Sequence, residues 1–380
     1  MNVTGEFTVA QRRTLRSVRP GRIVLPILIG LGVVAYLFYD EFDVREWRAI
    51  DWTAATLAWI GASLALLVVR HLSYATRLYI LSERDFSFRK CVELVFIWEF
   101  SSAVSPTSVG GSAVALFVLS QEKLSAGRTA SLVLYTIVLD TAFFVLNLTL
   151  LYLVFGPGMV RPGARTFADL GAWGFTFVTA WAAMALYGSF FFWGLFVSPT
   201  AIRSVLRGLA RWRPLRRFRK GLLRTAQDTA AASLHMRRQP LRWHLSAFLA
   251  TAGAWSCRFL LLSCLIVAFG EVGLAPATQL ELYGRLQAMY LIIAFSPTPG
   301  GAGIAESLLE GFTTDFMGAA TTSVLVVAML WRGFTYYGYL VAGAIVVPNW
   351  LRGIIARRAH RRRERGGAYA KTVEPEAVVG

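Results

Sequence analysis

The sequence predicts an all-α polytopic membrane protein with about six full transmembrane helices and two oppositely oriented re-entrant helical hairpins. Three observations carry that expectation. Hydrophobic residues make up 56% of the 380-residue chain and charged residues only 16%, against roughly 25% charged in soluble domains. The apolar residues are gathered into eight long stretches, and mean hydropathy is +0.52. The basic residues fall in blocks between those stretches, strong and weak in alternation. A soluble domain could not keep so much apolar surface from water, so the solvent is a bilayer. A cytosolic enzyme, a disordered tail protein and a disulfide-stapled secreted domain are excluded together. The net charge of +17, distributed this way, follows the positive-inside rule and forms no groove for nucleic acid, which is not an expected partner.

Taken in order, Arg12, Arg13, Arg16, Arg19 and Arg22 precede the first apolar run, 23–39. Tyr39, Asp40 and Glu41 follow it in place of a small-residue cleavage site, so an uncleaved anchor is expected. Further apolar stretches lie at 53–69, 91–119, 129–155, 171–197, 244–270, 279–312 and 319–347. Six of the eight suit a ~30 Å hydrocarbon core as single helices. The other two are interrupted, at Ser105 to Gly111 (SPTSVGG) and at Ser296 to Gly301 (SPTPGG). Pro removes a donor and Gly-Gly frees the backbone, so each break ends a helix within the membrane. Hairpins at 91–119 and 279–312 are expected, with tips at Pro106, Gly110 and Gly111 and at Pro297, Pro299, Gly300, Gly301 and Gly303.

Charge sets the direction. With the N-terminus in the cytoplasm, the segments 1–22, 70–90, 120–128, 198–243 and 348–380 hold 32 of the 39 Lys and Arg, and the exterior loops hold 4. Both termini are therefore expected in the cytoplasm of a bacterial-type plasma (inner) membrane. The first hairpin then opens to the cytoplasm and the second to the exterior. Their shared SPT and Gly-Gly signature, 191 residues apart, suits an inverted repeat. The expected organisation is a basic N-terminus (1–22), a first membrane half (23–197), a basic amphipathic linker (198–243), a second half (244–347) and a basic tail (348–380).

Charges inside apolar stretches single out residues for function. Asp140, Arg258 and Arg332 lie near the middle of their spans, where each costs at least ~2.5–3.5 kcal/mol. Glu281, Arg285, Glu306 and Glu310 belong to the second hairpin, and Glu93 and Glu99 to the first. Such charges either line a polar path or pair off as structural ties. Glu281 and Arg285, at i,i+4, suit the second role. In the run from Ser296 to Glu306, three glycines precede a short helix whose N-terminus suits an anionic group. Glu306, one turn in, is placed to hold Arg332 or Arg285.

The run PTPGGAGIAE at 297–306, with Asp140 closing TASLVLYTIVLD and WRGFTYYGYLVAG at 331–343, resembles the transmembrane region of lysylphosphatidylglycerol synthases and its stand-alone, flippase-like relatives. The resemblance covers nearly the whole chain. It implies movement of lipid between leaflets. The soluble domain that transfers an aminoacyl group from tRNA in bifunctional members has no counterpart in the 33 residues after Val347, so lipid synthesis is not expected. Relatives often follow the first Gly-Gly with an acidic residue and, three later, a basic one; here Ser112 and Ala115 stand there.

In 198–243, Ile202, Val205, Leu206, Leu209 and Trp212 form an apolar stripe beside Arg203, Arg207 and Arg211. That pattern suits either a helix on anionic inner-leaflet lipid or a plain topology-setting loop. No phosphate-binding GxxxxGK[ST] run occurs, Cys91, Cys257 and Cys264 have no metal spacing, and His71, His235, His244 and His360 sit in or beside basic loops. No cofactor or metal is expected. The leading functional expectation is a non-enzymatic translocator of phospholipid, with Arg332 and Arg258 neutralising phosphate and Asp140 and Glu306 orienting them. An ion-coupled carrier of a small solute and a membrane subunit of a lipid-modifying enzyme are the alternatives.

Overall fold

The computed structural model describes residues 44–104, 115–116, 118–122, 124–198, 204, 208, 230–270, 272–296, 301, 303–317 and 321–354. Among them every regular element is helical. In chain order these are α1 (Val44–Ala49), α2 (Ala54–Leu81), α3 (Phe88–Val104), α4 (Ala126–Phe155), α5 (Gly171–Phe192), α6 (Leu241–Phe269), α7 (Pro276–Ile293), α8 (Ile304–Met317) and α9 (Thr321–Arg332). A π-helical turn extends α5 through Trp193–Val197, and another, Gly333–Tyr337, carries α9 on into a helix that runs to residue 354. Among the described residues, five helical segments are long and apolar enough to cross a membrane, at 54–81, 127–159, 168–197, 241–269 and 323–354. The expected span 23–39, the linker stripe and His360 lie outside the described residues.

Local chemistry sets the helix ends. The Thr53 hydroxyl accepts from the Thr56 amide at 3.1 Å to start α2, and Ser125 does the same for α4 through Arg128 at 3.2 Å. Pro240 precedes α6 and Pro276 opens α7, where its missing N–H costs nothing. After Leu81, Glu83 and Arg84 both take positive φ, 53° and 64°, which turns the chain back into α3.

The expected span 53–69 is corrected here. α2 runs twelve residues further, to Leu81, so 70–81 is helix and not a cytoplasmic loop. The physical reason is that Arg70, His71 and Arg77 are buried against other helices and find polar partners there, so their charge does not end the helix.

α2 and α6 lie antiparallel along their lengths. Trp52 meets Phe269 at one end, with ring centroids 5.6 Å apart, and Trp243 donates to the Ile80 carbonyl at the other, at 3.2 Å. Small residues allow the approach: Ala247, Thr251 and Ala254, on one stripe of α6, are fully buried. Among the described residues, a small apolar cluster of Phe100, Ala103, Tyr336 and Leu340 accompanies two large ones that fill the interior. One, towards the Gly270 end, gathers Phe144, Phe259, Leu262, Leu286 and Phe312; the other, towards the Leu81 end, gathers Leu78, Leu94, Leu132 and Trp350. Arg70 and Arg258 stand between them, close to the centres of their helices.

The arms around the two breaks open at opposite ends. Lys90 and Glu122 pair at 3.1 Å, and Trp350 donates to Glu122 at 2.8 Å, which fixes both arms of the first segment at the Leu81 end. For the second, a Cβ on Gly270 would stand 2.6 Å from the Phe316 carbonyl, so α8 ends beside the end of α6, on the side from which the chain leads into α7. Gly343 lies directly against the Phe100 ring, seating α3 on the last helix.

Candidate functional site

A buried arginine needs a counter-charge or an aromatic face to offset its lost hydration, and Arg70 has both. It is fully buried, lies between the rings of Tyr74 and Tyr339 at 5.3 and 5.2 Å, and donates to Glu99 Oε1 at 2.7 Å and the Tyr339 hydroxyl at 3.1 Å. Arg258 reaches the other Glu99 oxygen at 3.5 Å and stacks over Trp255 at 4.8 Å. One carboxylate from α3 is thus held by arginines from α2 and α6. His71 adds a third tie, with Nδ1 3.1 Å from the Tyr339 hydroxyl and Nε2 3.2 Å from the Val92 carbonyl.

A second carboxylate extends this layer. Asp140 accepts from Arg77 at 2.5 Å and from Trp255 Nε1 at 2.9 Å, joining α4 to α2 and α6. Tyr74 lies under Arg77 as well as Arg70, 4.8 Å from the former. The spacing 70, 74, 77 places these groups on one face of α2.

The third part is built at the start of α8. Gly303 is its N-cap residue, and Glu306, at the third helical position, reaches back so that Oε2 accepts from the Gly303 amide at 2.7 Å. Its other oxygen accepts from Arg332 Nε at 2.6 Å. Gly301 and Gly303 take φ of +73° and +84°, the left-handed region that glycine enters without strain. A Cβ on Gly301 would stand 2.9 Å from Ile293 and 3.9 Å from Arg332 Nη2, so backbone and guanidinium lie side by side. One turn on from Arg332, the Tyr336 hydroxyl donates to the Ala103 carbonyl at 3.3 Å, at the inner end of α3. Arg332 also lies over the Tyr336 ring at 5.7 Å. Residues next to both sequence breaks therefore meet one turn of the last helix, at Arg332 and Tyr336.

Of the predicted residues, the structure gathers Glu99, Asp140, Arg258, Glu306, Arg332, Gly301 and Gly303 into this region. Arg285 is elsewhere: it pairs with Asp315 at 2.5 and 2.6 Å and with Glu281 at 2.6 Å, over the Phe316 ring. Glu306 therefore holds Arg332 and not Arg285. Glu310 is exposed on α8. Pro106, Gly110, Gly111, Pro297, Pro299 and Gly300 lie outside the described residues. Sequence reasoning missed Arg70, His71 and Arg77; the readable signal was the aromatic Tyr74 at helical spacing between two arginines. Among the described residues no three His, Cys, Asp or Glu side chains gather as a metal site, and the three cysteines are free thiols.

The model for the lysylphosphatidylglycerol synthase TM region matches residues 23–343. The chain belongs to this family. A UPF0104 membrane protein of Archaeoglobus fulgidus is 26% identical over 349 residues, spanning 85% of this chain and 95% of that protein. No solved structure matches the chain. The family match takes in every residue of the polar layer, from Arg70 to Tyr339.

Proposed function

We propose that this family member moves a phospholipid, or a related anionic or aminoacylated lipid, between leaflets without nucleotide hydrolysis. The observation that carries the reading is that Gly301, at the end of one break, and Ala103, just before the other, meet one turn of the last helix, with Arg332 beside Gly301 and Tyr336 on Ala103. Four guanidinium groups (Arg70, Arg77, Arg258 and Arg332) face three carboxylates (Glu99, Asp140 and Glu306). The excess positive charge sits among helices apolar enough to cross a membrane, where it attracts an anion strongly. A lipid phosphate supplies one, its headgroup taking the polar layer while its acyl chains stay in the bilayer. Arg332 and Arg258 neutralise the phosphate; Glu306 and Asp140 hold those groups and receive a cationic headgroup part.

In this reading the two broken segments are re-entrant hairpins of an inverted repeat. Arg70 and Arg258 support it, as the seventeenth residue of α2 and the eighteenth of α6, in antiparallel helices that share Glu99. The chain is then a non-enzymatic translocator in a bacterial-type inner membrane, with both termini cytoplasmic and membrane phospholipids as its partners. Liposomes containing only this protein test it. Arg332→Ala should abolish reorientation of a fluorescent phospholipid, read as loss of the fraction quenched from outside, while Arg285→Met should leave it intact. Equal rates for Arg332→Ala and the parent would overturn the proposal.

A further inference from the structure

Away from the polar layer, one groove joins apolar walls to a basic rim. It is about 410 Å³ and opens between α4, the end of α5 and the start of α6, within the ~300–1,000 Å³ of ligand-sized pockets. Its floor is one face of α4, with Val138, Leu139 and Ala142 following Tyr135 at helical spacing. Phe192 and Phe196 form the wall, their rings stacked at 5.2 Å. Phe196 sits in the π-helical turn Trp193–Val197, a departure from α geometry that often accompanies a site. Past Ala142 the same face of α4 continues as Leu146 and Leu150, 63% and 60% exposed. In a membrane protein such a surface meets acyl chains.

The rim has the opposite character. Arg237 lines it with His244, and Arg238 and Arg242 are exposed within the next five residues. Arg237 makes no hydrogen bond or ion pair among the described residues. The nearby Glu83 is already engaged by His235 at 3.0 Å and Arg128 at 3.2 Å. His244 Nδ1 lies 2.5 Å from the Tyr135 hydroxyl, and Trp243 stacks on the Tyr135 ring at 5.7 Å, an aromatic group of the kind that settles at headgroup level.

We propose that this groove binds one anionic phospholipid, with an acyl chain along the Val138–Ala142 face and the phosphate at Arg237 beside His244. Charge complementarity selects the occupant: an apolar groove ending at Arg237, with Arg238 and Arg242 exposed within five residues of it, suits a two-part ligand with a hydrocarbon body and an anionic head. The site is separate from the polar layer, because Asp140 leaves the neighbouring face of α4 towards Arg77 and Trp255. Occupancy requires no movement between leaflets, so the inference stands or falls apart from translocation.

The full chain in phosphatidylcholine nanodiscs doped with phosphatidylglycerol carrying a diazirine acyl chain tests the site. Photolysis should label peptides covering 135–142 and 192–197, with competition by unlabelled phosphatidylglycerol and not by phosphatidylcholine. Arg237→Gln should weaken labelling about fivefold, the scale of one basic residue at an anionic surface. Ala142→Trp should block it with the protein still monodisperse. Should Ala142→Trp fail to fold, the exposed Arg237→Gln decides alone. Equal labelling from diazirine phosphatidylcholine, label absent from both peptides, or Arg237→Gln matching the parent would each overturn the proposal.

Discussion

Replacing Glu99 by Gln keeps the side chain's shape and removes its charge. Two arginines lose their counter-ion at once. Arg70 is the costly one: its side chain has no solvent exposure and its bond to Glu99 is 2.7 Å. Breaking a buried pair by removing one partner costs roughly 3–5 kcal/mol, because the remaining charge stays desolvated. The Tyr339 hydroxyl and the two rings remain to Arg70, which places the loss towards the lower end. The Arg258 contact is longer, 3.5 Å, with both side chains 19% exposed, and adds at most ~1 kcal/mol. Reversible unfolding in mixed micelles measures the sum. The double variant Arg70→Met, Glu99→Leu removes both charges and should cost less than Glu99→Gln alone. A Glu99→Gln protein within ~1 kcal/mol of its parent would refute the reasoning, since that is the behaviour of an exposed pair. So would additive losses in the double variant, since contacting residues should couple.

Three further outcomes follow from the same geometry. Gly303→Ala, at φ +84°, should cost ~1–2 kcal/mol in the same unfolding assay and slow lipid reorientation, because the amide that holds Glu306 moves. Arg285→Met should lower stability by only ~1 kcal/mol, since its partners Asp315 and Glu281 are 43% and 34% exposed and recover water. Gly343→Val should push the Phe100 ring, and Glu99 beside it, away from α2, so that thermal stability falls by an amount close to that of Glu99→Gln; an unchanged melting midpoint would contradict the close approach.

The sequence made the spans legible because apolar runs of membrane length are a strong signal. Arg258, Arg332 and Asp140 were legible for the same reason, each a lone charge inside such a run. Arg70 and Arg77 were not. They follow the run 53–69, where a basic residue ordinarily marks the end of a span, and only tertiary partners, Glu99 and Asp140, keep the helix going to Leu81. Arg285 was half legible: its tie to Glu281 shows in the i,i+4 spacing, whereas its second counter-ion, Asp315, is 30 residues away and past the expected hairpin 279–312. Glu306 was expected beside a helix N-terminus open to an anion, yet its own carboxylate caps Gly303. A phosphate reaching that turn must share or displace it.

The central claim is that this chain alone carries a lipid headgroup across the bilayer. Purified protein in liposomes, without nucleotide or any second protein, measures it directly. A fluorescent phospholipid in the inner leaflet should become accessible to an external quencher in protein-containing vesicles and stay protected in empty ones. Protection that is the same with and without protein would contradict the account.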